Sequence, residues 1–315
     1  MSPSFHGPLV GPPGLVAATA MAQERLEQQA LSLAPRLGAR LTAWMRRLAP
    51  EGRAEAYFLH PEAFPSLLLA WLFEEAIAGK PAGQEARELV YSSMSGYYAI
   101  RLIDNVMDGD AVDEIGLLPA TAFLHLQFER HYHKYFDVGH VFWRQFDADW
   151  TGAAEAAIED AALTEIDRNQ FEAVSARKVL AGRIPMASVA QRLLGGPVPA
   201  DWEQIFSLLS RFHQMRNDLF DWQRDDVRGA STYFLNQARQ RLQPQELVSG
   251  WLAREGFDWG SGLLIEWLEE ALEIADRMHA PDLTAYLARR RRDLAAAIET
   301  VKPGLAILAA LATQA

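Results

Sequence analysis

Two clusters of acidic and amide side chains stand inside otherwise apolar stretches of the chain. The first acidic cluster comprises Asp104, Asn105 and Asp108, and Arg101 lies one helical turn before it. Asp104 and Asp108 are four residues apart, so on a helix both carboxylates project from one face. Because the intervening and flanking residues are mainly Ile, Leu, Val and Met, we expect a largely buried helix that presents two carboxylates to a polar space.

The second acidic cluster comprises Asn217, Asp221 and Asp225, again at intervals of four residues. On a helix of 1.5 Å rise per residue these three side chains form one ridge about 12 Å long. Asp218 is displaced by one position and faces partly elsewhere. Arg224 directly precedes the last acid of the ridge.

Carboxylates four residues apart repel one another, and an apolar wall increases their cost. Hard divalent cations compensate such charge, and Mg²⁺ takes one or two carboxylates while sharing water and substrate phosphates. We therefore predict that the two clusters face each other across a bundle and hold a diphosphate between bridging metal ions. A solvated helix face is the ordinary explanation for one such pair, but it is a weaker explanation for two of them.

The elements that position these clusters are helical nearly throughout. Helical periodicity predicts segments at 15–48 with a break at Pro35, 64–77, 84–107, 120–135, 155–180, 186–194, 202–226, 245–255, 261–278 and 283–301. Breaks are expected at clusters of Gly and Pro, including residues 195–197 and 302–304. With no strand alternation, the sequence predicts an all-α chain: a flexible arm at 1–14 and one helical domain at 15–315.

The composition disfavours several classes of partner and excludes some kinds of site. The chain has 315 residues, half of them hydrophobic, a net charge of −11 and no cysteine. This charge disfavours a nucleic-acid partner, and the missing cysteines exclude thiolate metal sites and cysteine nucleophiles. No apolar run is long enough for a transmembrane segment, and residues 1–14 do not resemble a signal peptide, so we expect a cytoplasmic protein.

Together the two clusters resemble the motifs of the class I isoprenoid synthase superfamily. Asp104, Asn105 and Asp108 match its aspartate-rich motif in the form DNxxD, and Asn217-Asp218-x-x-Asp221 with Asp225 matches its second motif. The resemblance implies an antiparallel helical bundle around a central apolar cavity. It also implies three Mg²⁺ ions, or Mn²⁺ in their place, and a prenyl diphosphate substrate; a homodimer is possible.

The resemblance also implies roles for individual residues. Asp104, Asp108, Asn217, Asp221 and Asp225 would be the catalytic metal ligands. The diphosphate would be bound by basic and hydroxyl side chains: Arg224, Lys178, Arg228 and Tyr233. The pocket would include Tyr97, Phe220 and Gly182.

Three further groups of residues allow more than one interpretation. Lys178 to Gly182 is similar to a diphosphate sensor with a small effector residue, but basic residues at a helix end explain it equally well. Residues 289–292 with Tyr286 are similar to the Arg–Tyr pair that closes cyclase sites, although a solvated basic face is favoured. His131 and His133 lack the spacing of diiron ligands, so we interpret them as surface or interface residues.

The branch of the superfamily stays open. Chain elongation uses a second basic pocket for isopentenyl diphosphate, built from a Gly-Gly-Lys segment, and here the nearest basic stretch is Arg46, Arg47 and Arg53 without the glycine pair. This favours a terpene cyclase, a lyase that ionises an allylic diphosphate and quenches or cyclises the carbocation. Against it stands Asp221, where cyclases have Ser or Thr. The alternatives are a prenyltransferase, either elongating or of the squalene/phytoene coupling type, and a non-catalytic helical interaction protein.

Overall fold

The computed structural model describes residues 9–107 and 112–312, and within these ranges the regular structure is helical. No helix in the described ranges is long and apolar enough to span a bilayer. The α-helices are α1 (Pro13–Leu33), α2 (Pro35–Leu48), α3 (Ala54–Phe58), α4 (Ser66–Ala78), α5 (Gln84–Met107), α6 (Ala120–Arg130), α7 (Val141–Ala162), α8 (Arg168–Lys178), α9 (Ile184–Leu193), α10 (Ala200–Phe220), α11 (Trp222–Val227), α12 (Tyr233–Arg241), α13 (Val248–Trp251), α14 (Phe257–Arg277) and α15 (Pro281–Ala312). The predicted all-α class is confirmed.

Local signals placed several helix ends correctly. Helix α5 spans the predicted 84–107, and Pro35 begins α2, where its missing N–H costs nothing. Helix α4 ends at Gly79, whose φ of 63° is the left-handed conformation that glycine adopts readily.

Other predicted ends were wrong. The predicted helix 155–180 is two helices, because Asp167 and Gln170 form a capping box that starts α8. Helix α12 was not predicted; the Thr232 hydroxyl accepts the Leu235 N–H at its start. Helix α15 continues through Pro303, where a break was expected.

The contacts of the chain group into two compact units. The first unit comprises residues 9–149 with Ala181–Pro199. Within it, α5 packs against α1, α4 and α6, and α4 packs against α9. Gly96 brings α5 close to α6, since a Cβ there would lie 2.9 Å from the Phe128 ring. The large buried side chains of this unit include Trp44, Phe73, Tyr98 and Phe128.

The second unit comprises residues 150–180 and 200–312. Within it, α10 packs against α8 and α14, and α14 packs against α15. Its core includes the fully buried side chains of Phe212, Phe234, Trp251 and Trp267. The prediction of one domain over 15–315 with an arm at 1–14 stays a prediction; Val10 already donates its N–H to the Leu59 carbonyl.

The position of His131 corrects the expectation that both histidines are surface or interface residues. Its ring is 3% exposed and packs between the rings of Tyr132 and Tyr135. Burial, with a smaller contribution from the positive charge of Lys134, lowers the pKa of His131 to about 4. His131 is therefore a neutral core residue, whereas His133 is exposed as predicted and lies 3.0 Å from Glu129.

The close approach of α1 and α2 generates a stability prediction. A Cβ at Gly38 on α2 would overlap the carbonyl oxygen of Ala30 on α1, so Gly38→Ala forces the two backbones apart. We expect the free energy of unfolding, measured by urea denaturation, to fall by about 1–3 kcal/mol. The helical control Gly262→Ala, which meets open space, should instead raise it by up to about 1 kcal/mol. Equal effects of the two substitutions would contradict this packing.

Candidate functional site

The first acidic cluster lies at the C-terminal end of α5. The Asp104 side chain is 46% exposed, and one of its oxygens accepts a hydrogen bond of 3.2 Å from Arg101. Asn105 points the other way: it is 7% exposed and donates to Glu114 at 2.9 Å. Asn105 therefore anchors α5 to the following 3₁₀ turn, and Asp104 remains accessible. Asp108 lies outside the described residues.

The exposed face of α5 that carries Asp104 also carries its partner Arg101 and is otherwise apolar. Tyr97, Ile100 and Met107 are exposed large side chains, and the helical period places them on the same side as Asp104. The Tyr97 hydroxyl lies 3.0 Å from the Tyr57 hydroxyl of α3. An accessible carboxylate thus stands beside an exposed apolar stripe, which is an unusual surface for a helix in water.

The second acidic cluster straddles a bend that the sequence did not predict. Helix α10 ends at Phe220 and α11 begins at Trp222, because Asp221 leaves helical geometry with φ −101° and ψ 5°. The hydrogen bonds nevertheless continue: Asp221 donates its N–H to Asn217, and Asp225 donates to Asp221. The three residues therefore remain one turn apart, with Asn217 and Asp221 exposed and Asp225 half-buried.

Arg224 forms ion pairs with both acids of this ridge. Its guanidinium lies 3.0 Å from an Asp221 oxygen and 3.5 Å from an Asp225 oxygen. Burial raises the pKa of the Asp225 carboxyl, and the charge of Arg224 opposes that rise. Arg224 is itself 56% exposed, so it can also meet an anion that approaches the ridge.

No role was predicted for Asp218 from the sequence. Its carboxyl is 3% exposed and accepts a 2.9 Å hydrogen bond from Gln214. Burial raises the pKa of Asp218 to about 7, although the Gln214 hydrogen bond and the positive charge of Lys178 act in the opposite direction. The four-residue spacing of Gln214 and Asp218, together with apolar neighbours, was the available signal for a buried carboxyl.

The predicted diphosphate-binding residues occupy different settings. Lys178 ends α8 and lies 2.6 Å from Asp160 of α7, so its charge is already shared with a carboxylate. Arg228 is exposed after α11 and its charge acts on Asp225. Tyr233 is buried in the core of the second unit, where its ring stacks on Phe171 at 4.7 Å.

The remaining predicted residues are placed as follows. Phe220 is half-buried at the end of α10, with the Arg216 guanidinium 5.1 Å above its ring. Gly182 lies in the 3₁₀ turn Leu180–Arg183. The expectation of a solvated basic face at residues 289–292 was wrong for Arg290, which is 5% exposed, donates to the Tyr286 hydroxyl and lies over the Phe212 ring.

The donor chemistry of the two clusters fits a hard divalent cation. Carboxylate and amide oxygens are the ligands that Mg²⁺ prefers, and Mg²⁺ usually completes its shell with water and substrate phosphate. Asp104, Asn217 and Asp221 are accessible to such an ion. Among the described residues, no group of three or more acidic or histidine side chains is arranged to hold a metal ion by itself.

The buried carboxyl of Asp218 generates a pH prediction. Its pKa in the folded protein, about 7, lies above its ordinary value of 3.8, so the folded state binds the extra proton and stability falls as the pH rises through this range. Asp218→Asn keeps an acceptor for Gln214 and removes the ionisation. We expect the stability gained by this variant to increase from pH 4 to pH 8 by about 3 kcal/mol. A gain in urea denaturation that does not change with pH would contradict the assignment.

Over 88% of the chain, the fold is similar to that of two solved prenyl diphosphate synthases. The geranylgeranyl pyrophosphate synthetase from the archaeon Geoglobus acetivorans matches with a TM-score of 0.67 at 12% identity, covering 88% of this chain and 97% of that chain. The heptaprenyl diphosphate synthase from Staphylococcus aureus matches with a TM-score of 0.62 at 10% identity, covering 88% of this chain and 98% of that chain.

No family model matches the sequence, and no curated protein matches it. At identities of 10–12% the structural likeness concerns the fold. It confirms the predicted all-α fold class: the chain shares the fold of these two prenyl diphosphate synthases.

Proposed function

We propose that the protein is an Mg²⁺-dependent enzyme that ionises an allylic prenyl diphosphate, and that it is a prenyltransferase. The observation that carries this proposal is the surface of α5, where accessible Asp104 stands beside an exposed apolar stripe. A prenyl diphosphate joins a highly charged head to a hydrocarbon tail and would match both parts. The fold that the chain shares with two prenyl diphosphate synthases supports the same reading.

In this proposal the two acidic clusters bind the charged head. Asp104, Asp108, Asn217, Asp221 and Asp225 would hold the metal ions, and a bound Mg²⁺ acts as a Lewis acid on the leaving diphosphate.

The cations near the second cluster have a separate role. Arg224, already placed between Asp221 and Asp225, would donate to the phosphate oxygens as negative charge develops on them. Arg228 and Lys178 are cations of the same unit that would add to this field.

The hydrocarbon tail would lie along the exposed face of α5. An α-helix rises 1.5 Å per residue, so Tyr97 lies about 10 Å along the axis from Asp104. The paired hydroxyls of Tyr57 and Tyr97, with the Phe58 ring 5.0 Å from that of Tyr97, would close the far end of the stripe. Aromatic faces also stabilise a carbocation.

Cyclisation of the carbocation, a lyase reaction, is the second candidate. The observation in its favour is Arg224, which contacts both acids of the second cluster and directly precedes the last one. Both candidates begin with the same ionisation and differ only in what the carbocation then meets.

The experiment that tests the proposal is incubation with geranyl, farnesyl and geranylgeranyl diphosphates in Mg²⁺. Each is supplied alone and with a prenyl acceptor, either isopentenyl diphosphate or a second allylic diphosphate. Prenyl transfer predicts an acceptor-dependent product that carries the prenyl group. A hydrocarbon or alcohol formed from one allylic diphosphate alone would favour the lyase, and no diphosphate release from any substrate would contradict both candidates.

We expect Asp221→Asn and Asp225→Asn each to lower the rate of diphosphate release by about 10²-fold or more at saturating Mg²⁺, because each removes a negatively charged oxygen ligand. The matched control is Asp226→Asn, which changes the charge equally at an exposed neighbouring position and should retain near-normal turnover. Circular dichroism checks that all three variants remain folded. Equal activity in all three would contradict the role of the second cluster.

Tyr97→Ala should shift the preference toward longer substrates, because it removes the ring that closes the apolar stripe. We expect the ratio of kcat/KM for geranylgeranyl over geranyl diphosphate to rise by about tenfold. Met107→Ala, at the other side of Asp104 on the same face, is the matched control and should leave that ratio unchanged. A ratio that moves equally in both variants would place the tail elsewhere.

A further inference from the structure

The last turns of α15 depart from the amphipathic pattern of the rest of this helix. As far as Ile298, α15 buries one face in the core of the second unit, with Leu283 and Leu287 on it. Beyond that point the described side chains emerge into water, since Leu305 is half-buried and Ile307 is 64% exposed. A large apolar side chain at this end of the helix is therefore left in contact with solvent.

The sequence of this helix end provides no polar side. Residues 305–312 are Leu, Ile and Ala only, and the backbone is helical through Ala312. Eight consecutive residues make just over two helical turns, so apolar residue types occur all around the helix. A helix on a protein surface normally keeps one polar side, whereas an all-apolar helix belongs in a protein core or in lipid.

Leu247 adds a second exposed apolar side chain from another element of the same unit. It directly precedes α13, which packs against α15, and it is 73% exposed. The π-helical turn Leu252–Gly256 that follows α13 also packs against α15. Exposed apolar side chains from two packed elements, beside an all-apolar helix end, are typical of a surface that a partner or a membrane covers.

The cations of these elements are paired with carboxylates. Lys302 of α15 lies 2.6 Å from Glu299. Arg254 of the π-helical turn lies 2.9 Å from an oxygen of Glu246 and 2.9 Å from an oxygen of Glu255. Because their charges are offset, a contact at this surface depends on burying apolar atoms rather than on attracting anionic phospholipids.

We propose that the end of α15, together with Leu247, docks on the surface of a zwitterionic lipid bilayer. A second protein copy would pack against one side of the helix and leave its other apolar sides in water, whereas lipid surrounds an inserted helix end. Eight residues rise about 12 Å, which reaches into one leaflet but not across the hydrocarbon core of roughly 30 Å. This peripheral contact agrees with the finding that no helix in the described ranges spans a bilayer.

Flotation of the full chain with phosphatidylcholine vesicles on a density gradient tests this proposal. The wild-type protein should rise with the vesicles, and adding phosphatidylglycerol to them should not increase binding. Ile307→Glu and Leu247→Glu should each lower the ratio of bound to free protein by about tenfold or more, because each replaces a buried apolar contact with a charge. The matched control is Val138→Glu, at an 88% exposed position of the first unit, which should float like the wild-type protein.

Circular dichroism checks that the three variants remain folded, which is expected because all three positions are exposed. A wild-type protein that stays at the bottom of the gradient would overturn the proposal, as would Ile307→Glu and Leu247→Glu variants that float like Val138→Glu. Binding that requires phosphatidylglycerol would also overturn it. Multi-angle light scattering without vesicles tests the other occupant: a wild-type dimer that Ile307→Glu converts to a monomer would assign the surface to a second copy instead.

Discussion

Repulsion between the carboxylates of the second acidic cluster is the physical constraint on which the proposed site depends. Asn217, Asp221 and Asp225 lie on successive turns, with two negative charges close together and one of them half-buried. Arg224 offsets part of that charge through contacts with both acids. The surrounding scaffold keeps the carboxylates in this arrangement, because the backbone hydrogen bonds continue through the bend at Asp221. Such an arrangement is costly in the free protein and would become favourable if the proposed cations bound there.

Elsewhere in the described chain, charge is distributed differently. Arginines of the first unit are paired with buried or half-buried glutamates: Arg46 with Glu27, and Arg192 with Glu74 at 3.3 Å. Such pairs fix the packing of α1 against α2 and of α4 against α9. Their positive charge consequently contributes to the packing of these helices.

Sequence periodicity predicted the fold well because the helices are long and amphipathic. Helix α5 was predicted to the residue, and the exposed position of Asp104 followed from its spacing. The bend at Asp221 was not predictable, since the hydrogen-bond ladder continues across it and no Gly or Pro marks it. Short helices such as α3 and α12 depend on tertiary packing, and α12 also depends on its Thr232 cap, which periodicity does not detect.

The chemistry of individual side chains was harder to predict than the helices that carry them. Spacing identified Asp221 and Asp225 but set aside Asp218, whose pKa depends on complete burial. It assigned His131 to the surface, because a histidine between polar neighbours gives no sign of the aromatic rings that enclose it.

We propose that both acidic clusters bind one metal–diphosphate group, and thermal unfolding with Mg²⁺ and inorganic diphosphate tests this proposal most directly. The account predicts that the two ligands together raise the Tm by several degrees, roughly the shift expected from 1–2 kcal/mol of binding, and that neither does so alone. Asp104→Asn and Asp221→Asn should each abolish the shift, because the clusters act together. A shift of full size in either variant, or no shift in the wild-type protein, would contradict the claim.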